Sequence, residues 1–146
     1  MVRFSTIAAT FLLLVSVPAY AQSYPTAHQI DVVGHTVGKI MHDSGMNGVS
    51  KFISMCYIQD YNDKAKLRGC MLADLVAHDL DAGMRMMFKS QTGNDPGPAT
   101  PFLSASAWDT RVQIYVPRVF GTVDAARDYF YGHGNSVTEA ENVVNQ

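Results

Sequence analysis

Charge is scarce in this chain of 146 residues, with Asp, Glu, Lys and Arg making up 16% and a formal net charge of −2. A protein that follows a phosphate backbone needs a basic stripe, so nucleic acid is a poor partner here. After the first residues there is neither a second apolar span nor a basic amphipathic stretch, and membrane insertion of the remainder is not indicated. Gly-x-Ser-x-Gly, phosphate-loop and zinc-protease motifs are all missing, which removes the familiar local signatures of hydrolases and nucleotide-using enzymes. There is no internal repeat and no low-complexity tract. Cysteine is limited to Cys56 and Cys70, and neither lies in the Cys-x-x-Cys context that lowers a thiol pKa.

The first residues carry a secretory pattern instead. Arg3 supplies a positive start, Ile7 to Val17 form an uncharged and mostly apolar stretch, and Pro18 breaks it before Ala19-Tyr20-Ala21. Small residues at those two alanine positions fit a signal peptidase, so cleavage is expected after Ala21, leaving Gln22 first. The apolar stretch is shorter than the ~20 residues needed to span a bilayer, and no lipobox cysteine sits at the junction. Residues 1–21 are read as a signal peptide and residues 22–146 as a single helical domain, located in the periplasm or secreted.

Spacing predicts an all-α fold, a small bundle of about five helices stapled by a disulfide. After an exposed lead-in, Ile30, Val33, Val37 and Ile40 recur at steps of three and four, which puts them on one helical stripe ending at Ser44-Gly45. Gly34 and Gly38 share a face of that helix, where a neighbouring helix is expected to approach closely. A second helix carries Val49, Phe52, Ile53, Cys56 and Tyr57, and Asp60 to Lys64 form the turn. The third runs from about Ala65 to Phe88. Gly93, Pro96, Gly97, Pro98 and Pro101 then make residues 89–101 a loop. Trp108, Val112, Tyr115 and Val119 fit a fourth helix better than a lone strand, with Pro117 stopping or kinking it. Thr122 is suited to cap a fifth through Tyr131. Ser136-Val137-Thr138-Glu139 has capping-box spacing, before a tail short enough to fray.

Two cysteines in an exported chain are expected to pair, because the periplasm is oxidising. Their register agrees: in an antiparallel hairpin of the second and third helices, the midpoint of Cys56 and Cys70 is Asp63, inside the polar turn. Gly69 is expected to let the two backbones draw together beside the bridge.

Residues suited to chemistry are few. His28, His35 and His42 recur every seven positions on the face away from the apolar stripe, about 10.5 Å of rise apart, too far to share a metal. Asp74, His78 and Asp81 project from one face of the third helix. Such a set is usually a solvated acidic face, and it can hold zinc if another element adds a ligand. Met84, Met86 and Met87 cluster nearby; core filling is the default for methionines at helical spacing, and copper is the alternative that soft thioethers allow. No catalytic set assembles, so the expectation is a non-enzymatic binding protein without a cofactor. Its contact surface is expected along the flexible loop from Gln91 to Pro101, with Phe102 and Trp108 beside it as aromatic anchors.

Over Gly48 to Met84 the chain resembles the small exported immunity proteins that protect bacteria from type VI secretion amidase effectors, the Rap/Tai group. The shared features are the signal peptide, a helix ending near Phe52-Ile53-Ser54-Met55-Cys56, and a second cysteine opening an amphipathic helix at Arg68-Gly69-Cys70-Met71-Leu72. The resemblance implies an α-helical periplasmic inhibitor that blocks the cleft of a cell-wall-degrading enzyme as a homo-oligomer.

Overall fold

Five helices and no strand make up the described part of a computed structural model, which covers residues 24–146. The expected signal peptide and its cleavage site lie outside the described residues. Among the described residues, no helix is long and apolar enough to cross a membrane.

Helix α1 (Ala27–Gln59) opens on Thr26, whose hydroxyl accepts the Gln29 N–H while the Gln29 side chain returns a bond to the Thr26 N–H. The break expected at Gly45 is present as a kink: this residue alone leaves helical geometry, at φ 61° and ψ −167°, and the chain resumes as helix at once. Only glycine adopts that backbone region readily. The hairpin also follows the expected register, with Asp63 capping α2 (Lys64–Thr92) by accepting the N–H groups of Ala65 and Lys66. Cys56 and Cys70 are bridged, their Cα atoms 5.7 Å apart. Gly69 does not explain that closeness, because a Cβ built there meets nothing within 4 Å. The residue points away from α1.

Helix α2 runs four residues past the expected end at Phe88 and stops only at Gly93, which takes the left-handed conformation at φ 78°. The prolines lie beyond that point, so nothing in Lys89 to Thr92 opposes the helix. The loop that follows is pinned, contrary to the flexible segment expected. Arg85 holds Asp95 through two bonds of 3.1 and 2.7 Å, and with the Gly97 N–H it lowers the Asp95 pKa to about 2. Asp81 accepts the Ala99 N–H at 2.9 Å, and Thr100 meets Ser50 of α1 at 2.8 Å.

A single 3₁₀ turn (Pro101–Leu103) leads into α3 (Ala105–Val119), which is helical as expected, with Pro117 in its last turn. Thr122 caps α4 (Val123–Tyr131) through the Ala125 N–H. The cap of α5 (Ser136–Val144) is Asn135, not Ser136: its side chain accepts the Thr138 N–H, and Ser136 is instead a buried first-turn residue. The tail expected to be loose is helical and packed, with α5 lying against α1 at Gly34 and Gly38. A Cβ on Gly34 would stand 2.6 Å from Val143 Cβ, and one on Gly38 would stand 3.2 Å from the Val144 backbone. The close helix contact expected of these two glycines is therefore made by α5. All five helices feed one core, with Val37, Ile53, Leu72, Val116, Phe130 and Val137 among its members.

Candidate functional site

Asp74 stands in the middle of an apolar run, Cys70 to Ala77, and is completely buried, as is all of that run but the half-buried Leu75. A carboxylate there is tolerated only if its charge and lone pairs are matched. Arg111 of α3 provides the match with two parallel bonds, Nε to Oδ2 at 2.7 Å and Nη2 to Oδ1 at 2.8 Å. The Tyr57 hydroxyl of α1 donates to Oδ2 at 3.0 Å. The remaining Arg111 Nη1 donates to the Phe102 carbonyl at 2.7 Å, and the guanidinium lies 3.7 Å above the Phe102 ring centroid. One network thus ties together α1, α2, the 3₁₀ turn and α3. Burial, followed by the nearby Asp74 charge, pushes the Tyr57 hydroxyl well above its ordinary pKa and keeps it a donor.

This cluster forms the floor of a pocket of about 220 Å³ between α2, α3 and α4. Its walls are chiefly apolar and include Leu75, Trp108, Val112, Val116 and Phe130, with Val123 and Tyr131 at the mouth. Val123 is 53% exposed and Tyr131 41%, so apolar surface reaches the opening, beside the exposed Arg127 side chain. A 150 Å³ apolar cavity can hold benzene, so this one has room for roughly one large aliphatic or aromatic side chain.

The structure separates the residues that the sequence grouped. Asp74 and Asp81 are buried, so no solvated acidic face exists there: one pairs with Arg111 and the other fixes the loop. His78 faces Trp108, ring centroids 5.1 Å apart. Among the described residues, the one trio of ligand-type side chains within 4.8 Å is Cys56, Asp60 and Cys70. Its two sulfurs are consumed by the disulfide, which leaves no thiolate for a metal. Met84 packs against the core, whereas Met86 and Met87 are 67% and 58% exposed and fill no core. The three histidines are exposed, and His35 Nδ1 donates to the Asp31 carbonyl at 3.0 Å.

Of the two proposed anchors, Trp108 lines the pocket, while Phe102 is covered on one face by Arg111. Tyr57 and Arg111, the residues that complete the floor, were not singled out by sequence. A signal existed for Arg111, which sits three residues after Trp108 and four before Tyr115, on the apolar stripe of α3. Compared with known proteins, the chain matches no family model, no curated protein and no solved structure.

Proposed function

We propose that this chain is an exported, non-enzymatic binding protein, an immunity-type inhibitor of a type VI secretion amidase effector whose partner seats in the pocket between α2, α3 and α4. The observation that carries the binding reading is an open, preformed apolar pocket whose floor charges are already consumed. Both Asp74 oxygens accept bonds from Arg111, and Oδ2 takes a further one from Tyr57, so the carboxylate is a brace rather than a general base. A rigid apolar hollow with an aromatic wall favours capture of one anchoring side chain, the way small interfaces concentrate their binding energy. The secretory leader and the hairpin resemblance support the cellular setting and the class of partner.

The test has two parts. The protein is used as bait in periplasmic extract, and cells expressing it are challenged with a periplasm-directed cell-wall amidase from a type VI system. Capture of that enzyme and protection of the cells are expected, both weakened by Val123→Arg at the pocket mouth. No protein captured and no protection would overturn the reading.

A further inference from the structure

The pocket does not end at its mouth. Arg127 and Tyr131 belong to its lining and also to an adjoining open hollow completed by Asp124, Asp128 and Gly132. The only cation of that hollow, Arg127, is held by Asp124 at 3.3 Å with both side chains largely exposed, 70% and 91%. Such a pair contributes little and exchanges partners readily. Two further carboxylates, Asp79 of α2 and Glu141 of α5, line neither hollow but lie close enough to Tyr131 to act electrostatically on its hydroxyl. Partial burial raises the pKa of each, and for Glu141 the Asp79 charge adds to it. Among the described residues, neither forms a salt bridge. Apart from the Asp74–Arg111 pair, which is self-neutralised in the floor, four carboxylates stand near the rim with one guanidinium, Arg127, already engaged.

We infer that the pocket takes a large apolar side chain presented on a basic segment of a partner protein, the side chain entering between Trp108 and Phe130 while flanking Lys or Arg residues meet Asp124, Asp128, Asp79 and Glu141. The inference rests on the binding reading above and specifies its partner's chemistry. An acidic segment is repelled by the rim. A neutral apolar ligand gains nothing from it, and a second copy of this chain, itself net acidic, is a poor electrostatic match.

Trp108 is the only tryptophan of the chain, so its fluorescence reports on this pocket alone. The probes are three hexapeptides: a Leu-Phe pair between two lysines on each side, the same pair between glutamates, and an Ala-Ala pair between lysines. The Lys-flanked Leu-Phe peptide is expected to shift the emission and to bind about tenfold more tightly than either control, with affinity falling as salt is raised. Asp124→Asn with Asp128→Asn, both on the exposed side of α4, is expected to abolish the preference for lysine over glutamate while leaving the fold intact by circular dichroism. Equal binding of the lysine and glutamate peptides, a response only to a neutral probe such as toluene, no response to any probe, or concentration-dependent self-association that blocks the pocket would each overturn the inference. Capture of an amidase that survives Asp124→Asn with Asp128→Asn but is lost in Val123→Arg would also overturn it, and would leave the binding reading standing.

Discussion

At the scale of single residues, Asp74 and Arg111 dominate the interior. Attraction between two buried charges roughly offsets the cost of removing both from water, so the intact pair adds little net stability. Breaking it is another matter. Arg111→Met strands the Asp74 carboxylate among Leu72, Val76 and Ala77, all essentially without solvent access. This substitution is expected to cost about 3–5 kcal/mol. A triple variant with Asp74→Leu, Arg111→Met and Tyr57→Phe removes the charges and the orphaned hydroxyl together and is expected to recover most of that loss. Urea unfolding at constant slope measures both, and an Arg111→Met midpoint equal to that of the parent would contradict the account. The sequence held a sign of the buried acid, one carboxylate within eight otherwise nonpolar positions, but the spacing to His78 and Asp81 pointed instead to a solvated face. The pairing with Arg111 was not legible, because the two lie 37 residues apart and only the docking of α3 on α2 joins them.

At the scale of elements, the glycines separate two causes that look alike in a sequence. Gly34 and Gly69 both sit inside helices, where Ala is intrinsically favoured. A Cβ on Gly34 meets Val143 Cβ at 2.6 Å and the Ala140 carbonyl oxygen at 2.7 Å; the second is backbone and has no rotamer to yield. Gly34→Ala is therefore expected to lower stability by about 1–3 kcal/mol, the usual cost of overpacking. Gly69→Ala meets open space and is expected to raise stability by about 0.5–1 kcal/mol. Thermal scans of the two variants should move in opposite directions, and a shared direction would refute the assignment. Local patterning located the helices, through apolar periodicity for α1, α2 and α3 and through capping residues for α4 and α5. It could not say which helix presses on Gly34, nor that α5 is packed on α1, because that contact joins elements far apart in the chain. It also placed the end of α2 at Phe88 because composition changes soon after, whereas the physical stop is the left-handed Gly93.

At the scale of the whole molecule, the bridge and the core contribute in different ways. The core draws side chains from all five helices, so it ties each of them to the others in the folded state. Cys56 and Cys70, 14 residues apart, act mainly on the unfolded chain by closing the hairpin there, an effect of about 3 kcal/mol for a loop of this length. For a domain whose net stability is on the order of 5–15 kcal/mol, losing that amount weakens the fold without abolishing it. Cys56→Ala with Cys70→Ala is thus expected to lower the melting temperature by roughly 10 °C or more. At 25 °C the helical circular dichroism and the Trp108 emission are expected to stay as in the parent, because neither the Asp74 network nor the pocket walls include a cysteine. The comparison distinguishes a staple from a scaffold. If the double variant has already lost its helical signal at 25 °C, the five-helix core is not self-sufficient and the hairpin exists only because it is bolted. If it melts at the temperature of the parent, the α1–α2 hairpin is as constrained in the unfolded chain without the bridge as with it.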